Sequence, residues 1–353
     1  MRTTYSNRHE SGSVSVFAAV AAIGFIGVTA LGIDVGYGLL TKAQLQNVAD
    51  SAALAGNHQL ARLYDALGNR NISGYTLTAS DKASIIQAVR TYALRNEAGG
   101  KAIDVLPGDV LFGRWDKSTG EITETDTGVN VVRVLARRDG SANGVLSTLM
   151  SSTIGVDSFD VRANAAAVLT PVNKVPAGAV GLPVGIAKAW FNHPGSPCGG
   201  DSSIRLYPTG TLAGCAGWHT YTDAPASASK LHNIIDGIKA GTFKSPGATA
   251  GVDTWIFQGG VDASVFPDLK DLYRQKKDAN NEWKVLVPVY DSDSCANVSG
   301  WTKIIGFATA VITNVINAPA KQIDARVDCD IIQYGESGGE DYGTHVAGGS
   351  LVN

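Results

Sequence analysis

Four cysteines, six histidines and two short acidic runs are the groups in this 353-residue chain that could bridge, bind a metal or move a proton. Cys198, Cys215, Cys295 and Cys329 all lie in the second half, and no two form a Cys-x-x-Cys pair. An even count at wide spacing, downstream of an export segment, favours two disulfides. Nearest-neighbour pairing, Cys198 with Cys215 and Cys295 with Cys329, is the expectation, with buried free thiols as the alternative. Zinc is disfavoured, because its ligand pairs normally stand about two to four residues apart. Asp291-Ser292-Asp293-Ser294-Cys295 has the composition of an acidic metal loop. An adhesion-type D-x-S-x-S site needs Ser where Asp293 stands, and an EF-hand needs a Gly at its sixth position and a distant Glu. A solvated turn beside a disulfide is the better reading. Asp324, Asp328 and Asp330 fall at even spacing, as a weak cation site or, preferably, as the outward polar face of a strand. His58, His193, His219 and His232 share no ligand spacing, and no Gly-x-x-x-x-Gly-Lys-Ser/Thr phosphate loop is present. Neither metal nor cofactor is expected.

Tyr342-Gly-Thr-His345-Val-Ala-Gly348 resembles the H-G-T-H-V-A-G histidine box of subtilisin-like proteases. The general-base position is Tyr342, however, and the nucleophilic Ser of such a triad should follow well downstream. Five residues follow Gly348, so the sequence yields no triad and no catalytic residue.

The elements that must position these groups begin with a membrane segment. Val14–Ile33 is uncharged over 20 residues, and at about 1.5 Å per residue it matches a hydrocarbon core of about 30 Å. It exceeds the apolar region of a cleavable signal peptide, about 7–15 residues, so a retained single-pass anchor is expected. Arg2 and Arg8 precede it and Asp34 follows at once, which puts the N-terminus in the cytoplasm. Helical periodicity continues through Leu45, Val48, Ala49, Ala52, Gly56, Leu60, Leu63 and Leu67 to a stop at Gly68-Asn69, giving one rod with an apolar and an amphipathic half. Gly32 and Gly36 stand one turn apart around Asp34. They admit a close helix–helix contact, including a homo-oligomer through this helix, although Gly is also common in membrane helices generally. At the membrane edge Asp34 has access to hydration. The net charge of -3 and the lack of a basic cluster beyond Arg137-Arg138 and Lys276-Lys277 argue against nucleic acid.

The stretch from Gly12-Ser13-Val14 through Ile33-Asp34-Val35-Gly36 and Gln44-Leu45-Gln46-Asn47 to Ala49-Asp50-Ser51-Ala52-Ala53-Leu54-Ala55-Gly56 resembles TadE/TadG-like proteins of the Tad (tight adherence, Flp pilus) assembly system. The later chain is similar to the TadG type more loosely, through Val131–Arg137, Gly155–Leu169 and the cysteine-containing C-terminal region. The resemblance implies a component that assembles, anchors or secretes a bacterial adhesion pilus. It also implies other Tad proteins and the lipid bilayer as partners, with the bulk of the chain periplasmic or on the cell surface. Processed prepilins carry a Glu at the fifth position after the cleavage point. Counted from Gly12 that position is Phe17, which argues for an unprocessed anchor. The acidic loop lacks the metal motif of the von Willebrand-type domain found in some TadG-like proteins.

An α+β fold follows. After residues 1–13 and the span 14–33, a pilin-like unit is expected over 34–170. It would comprise a helix from Ser80 as N-cap to about Asn96, strands at 109–115, 121–124, 130–138 and 159–169, and a short helix at 143–151. A Pro-containing boundary at 171–176 opens a disulfide-containing, β-rich domain over 171–334. Its expected strands are 203–207, 252–258, 283–290, 301–316 and 321–333, and its helices lie near 227–240 and 267–276. A loosely ordered Gly-rich tail, 335–353, closes the chain. A pilus-assembly component without enzymatic activity is the leading reading, and a surface-exposed adhesin-like protein using the C-terminal domain is the alternative.

Overall fold

A computed structural model of the chain describes residues 11–67, 74–192, 203–206, 215–222, 224–259, 263–295, 298–317 and 319–352. The fold is mixed α+β, a long apolar N-terminal helix followed by helices and antiparallel sheets, as the sequence implies. Two compact units form. The first comprises residues 1–53, 86–110 and 133–165, and the second 54–85, 111–132 and 166–353.

Helix α1, Ser11–Ala66, runs through 56 residues without a Pro or a break. Its apolar half is exposed on nearly every side, with Val14, Phe17, Ile23, Phe25 and Val28 all uncovered, the pattern of a helix whose solvent is not water. The packed face of its first-unit portion begins at Ala30 and continues through Asp34, Thr41, Leu45, Val48, Ala49 and Ala52, all buried at helical spacing. The predicted stop at Gly68-Asn69 lies outside the described residues. Also in the first unit are a hairpin of Glu97–Ala98 with Lys101–Ala102, the later part of strand Val131–Arg138, the earlier part of strand Val161–Val168, and the paired strands Leu146–Ser147 and Ser158–Phe159. The helix expected over 143–151 is not formed. Asn143 and Gly144 adopt left-handed φ of 60° and 69°, a turn that directs the chain into a strand.

Helix α2, Ala79–Ala93, has its residues up to Ile85 in the second unit and the rest in the first, and it starts two residues earlier than a Ser80 cap predicts. Its N-terminal cap is Thr78, not Ser80. The Asp81 backbone N–H donates to Thr78 Oγ1 at 3.2 Å, and the Thr78 N–H donates back to Asp81 Oδ2 at 2.8 Å, the reciprocal capping arrangement. A sheet in the order Ser350–Val352, Val161–Val168, Val131–Arg138, Val110–Trp115, Ile122–Glu124 draws strand residues from both units, and its small core of Val131, Ala166 and Val168 belongs to the second.

The larger sheet of this unit has the order Ser203–Arg205, Gln322–Asp328, Ser299–Ile316, Thr254–Gln258, Ala216–Trp218, Val184–Ala187, Trp283–Tyr290. Trp283–Tyr290 pairs again with Ser299–Ile316, so five of the strands close on themselves and lose their edges. The 18-residue strand makes this possible. Its beginning pairs with Thr254–Gln258, its middle with Trp283–Tyr290 and its end with Gln322–Asp328, with bulges at Val289/Tyr290 and Ile312/Asn314 that bend the ladder. Phe257, Tyr290 and Phe307 fill the interior, and Phe257 stacks on Tyr290 with ring centroids 4.4 Å apart. After the short helix α3, Lys188–Phe191, helices α4, Ala228–Ala240, and α5, Phe266–Lys276, pack on each other, and α5 covers the long strand.

The tail is built into the fold. Glu336–Ser337 pairs with Val172–Val175, Thr344–Val346 lies parallel to Asp330–Ile332, and Ser350–Val352 pairs with Ala166–Val168. Tyr342 is buried with its ring against Gly306, where a Cβ would collide with it.

Candidate functional site

The residues drawn together around α1 form the site with the most organised chemistry. In the first unit, the hairpin after Val131–Arg138 climbs from Leu146–Ser147, turns through a 3-10 helix, Ser151–Ile154, and returns by Ser158–Phe159. Gly155, with φ 84°, ends that turn in the left-handed conformation. The first N–H groups of so short a helix have no partner within it. Asp34 supplies one: its carboxylate accepts from the backbone N–H of Leu149 at 2.6 Å, Met150 at 3.1 Å and Ser151 at 2.6 Å. Asp34 is 4% exposed. The sequence placed it where water would solvate it, and backbone amides of its own chain do so instead.

The polar run that follows in α1 is used in the same way. Gln44 Oε1 accepts from the Gly99 N–H at 2.8 Å, and Gln46 Nε2 donates to the Asn164 carbonyl at 2.9 Å. Tyr37 donates to the Gly99 carbonyl at 3.3 Å, and Gly38 lies so close to the Phe159 ring that a Cβ would clash. Buried Arg138 locks this corner by donating to the carbonyls of Ala98, Gly99 and Val145. In the second unit, buried Asn57 donates to the Ala167 carbonyl at 3.0 Å and Tyr64 to the Val129 carbonyl at 2.7 Å. None of these partners is near in sequence. The available signal was a polar residue at each of several packed-face positions, Asp34, Thr41 and Asn57, where periodicity alone calls for apolar ones.

The other sequence-predicted residues are dispersed. Gly12 lies in the first turn of α1, and Phe17 is exposed on the apolar half. A Cβ at Gly32 or Gly36 would meet nothing within 4 Å, so this small-residue face is open in the single chain. The nearest-neighbour disulfide expectation is wrong: Cys215 bonds Cys295 across 80 residues. Cys215 enters the strand Ala216–Trp218 and Cys295 follows Trp283–Tyr290, so the closed sheet brings together positions that sequence distance kept apart. Cys329 is disulfide-bonded as well, and Cys198 and His193 lie outside the described residues.

The acidic loop is a turn beside that disulfide. Ser292 donates to the Ser294 carbonyl at 2.8 Å, and the Lys188 ammonium stands 3.8 Å from Asp291 and 3.6 Å from Asp293. Asp324, Asp328 and Asp330 are separately engaged by Gln322, Arg326 and Lys284. Among the described residues no group of three or more His, Cys, Asp or Glu could hold a metal ion. Tyr342, in the histidine-box position, donates to Glu340 at 2.6 Å, and burial pushes its phenol well above the ordinary range. A cleft of about 350 Å³ beside it in sequence is lined by Arg114, Lys117, Asn130, Asp341 and His345. The hydroxyl on its wall, Thr170, is tied to Ser350 at 3.4 Å.

Sequence spacing missed one constellation. His232 Nδ1 bonds Asp268, and His232 Nε2 lies 3.1 Å from Ser264 Oγ, the connectivity of nucleophile, base and orienting acid. Ser264 is exposed, and neither the 350 Å³ cleft nor an apolar groove of about 340 Å³ beside α1 is lined by these three residues. Acyl transfer also needs preorganised oxyanion donors in a water-excluding site. What the relay does here is fasten α4 to the first turn of α5.

Residues 12–63 match the Tad family model, described as putative Flp pilus-assembly TadE/G-like. The match bears out the resemblance read from Gly12 to Gly56, lies wholly within α1, and contains Asp34, Gln44, Gln46 and Asn57. No curated protein and no solved structure matches the chain. A pilus-assembly domain on an apolar helix of membrane-crossing length supports a membrane-anchored component of pilus assembly.

Proposed function

We propose that this chain is a non-enzymatic component of Tad/Flp pilus assembly or secretion. Val14–Ile33 crosses the bacterial inner membrane once with the N-terminus in the cytoplasm, and the remaining chain makes protein–protein contacts on the far side. The observation that carries this reading is the coincidence of the family match with α1. Apolar and uncovered at first, that helix becomes polar and bound to folded structure in its second half. The Cys215–Cys295 disulfide suits an oxidising compartment, and Phe17 in place of Glu suits an anchor that stays unprocessed. The open Gly32/Gly36 face offers a close-approach surface to another transmembrane helix, a second copy included.

The test is crosslinking in intact cells followed by purification of the full chain from membranes. Recovery of Tad secretion components is expected. Recovery of none, with the chain exposed on the cell surface, would overturn the assembly role in favour of adhesion.

A further inference from the structure

Leu149, Met150 and Val156, at the tip of the hairpin in the first unit, are 59%, 47% and 45% exposed although all are apolar. Their height along α1 is set by hydrogen bonds. Asp34, the first residue past the apolar span, holds the N–H groups of Leu149, Met150 and Ser151. Ala30, one turn earlier on the same helix face, is 4% exposed. The cover over that face therefore reaches about 5 Å into the segment that spans the hydrocarbon. Below the tip an apolar groove of about 340 Å³ is lined by Leu31, Val35, Leu39, Val156 and Phe159. Val35 and Leu39, themselves exposed, lie about 3 Å and 9 Å past Ile33 along the helix, at headgroup depth.

From this continuity with the membrane span we propose that the hairpin tip is a second, monotopic contact with the same bilayer. Leu149, Met150 and Val156 insert into the interfacial layer, and a lipid acyl chain occupies the groove. Irregular backbone is excluded from lipid because no water is there to satisfy its unpaired N–H groups. Here three consecutive N–H groups of the tip are already paired with Asp34, and the apolar side chains beside them face outward. The device fixes the depth of α1 and keeps the first unit against the membrane surface.

Spin-label accessibility on the full chain tests this. Met150→Cys, with the native disulfides intact, is labelled with a nitroxide in vesicles of phosphatidylethanolamine and phosphatidylglycerol. Val28→Cys marks the span and Val252→Cys marks an exposed site. The label at 150 is expected to follow the one at 28, with relaxation by oxygen exceeding relaxation by a water-soluble nickel complex; the label at 252 should show the reverse. Nickel access at 150 like that at 252 would overturn the proposal, and so would a label reached by neither reagent, which would mean a protein partner covers the tip. If the label at 28 is not in lipid, the anchor itself fails, which is a separate result. Leu149→Cys and Val156→Cys repeat the measurement should Met150→Cys not fold.

Discussion

Asp34 shows how one residue changes meaning when its partners are known. From the sequence it is an acid at the end of an apolar run. In the fold it is a carboxylate with three amide donors 115–117 residues away. Asp34→Asn keeps the size and removes the charge, and an amide oxygen cannot serve three donors equally. Amide exchange at Leu149–Ser151 should accelerate in this variant while exchange in the closed sheet stays unchanged; unchanged exchange at the hairpin tip would count against the clamp. His219 offers a second test. It is fully buried among Tyr221, Trp255 and Phe257. Burial, partly offset by a hydrogen bond with the Val184 backbone, lowers its pKa to about 3 from an ordinary 6.5. The unfolded chain then binds a proton that the folded chain refuses, so stability is fully present above pH 6.5 and is lost as the pH falls from there toward 3. The contribution of this residue should approach about 1.4 kcal/mol per pH unit. Denaturant titrations of wild type and His219→Phe should differ by that slope, with the steeper loss of stability on acidification in the wild type; parallel curves would contradict it. Ser264 tests the absence of hydrolytic chemistry: a fluorophosphonate probe should not label the full chain. Labelling that disappears in Ser264→Ala would contradict the non-enzymatic reading.

At the scale of elements, what the sequence reveals follows locality. The 3.6-residue periodicity of α1, the alternation in Val131–Arg138 and the strands expected at 283–290 and 301–316 rest on local patterns, and each forms, the last beginning two residues earlier at Ser299. The errors share another cause. The stretch 143–151 holds Leu146, Leu149 and Met150 at near-helical spacing among poor helix formers, but Asn143 and Gly144 turn left-handed and a cross-strand partner at Ser158–Phe159 takes the segment. The Gly-rich tail reads as loose because the void that admits Tyr342 is made by Gly306, 36 positions earlier in the chain. Cys215 and Cys295 pair through sheet closure, which nearest-neighbour spacing cannot show. The candidate site was half legible: Asp34 and the Gln44–Asn47 run stood out by type, but their partners are backbone groups, which carry no sequence signature. The 80-residue loop closed by Cys215–Cys295 should stabilise the fold by roughly 4–5 kcal/mol through the unfolded chain's lost entropy. Cys215→Ser/Cys295→Ser should lower the urea midpoint accordingly, and an unchanged midpoint would mean that the closed sheet needs no staple.

For the whole molecule, α1 has two roles in one rod. Its first half leaves its large apolar side chains exposed, and its second half carries the polar residues on which folded structure is hung. The family match over residues 12–63 covers both halves of the rod, the apolar one and the polar one. The central claim is that this helix holds the chain in the membrane. Alkaline carbonate extraction of membranes from cells expressing the full chain tests it most directly. The account predicts that the chain stays in the pellet, and that a variant with Val20→Lys and Ile23→Lys in the span is released. A wild-type chain recovered in the supernatant would contradict it.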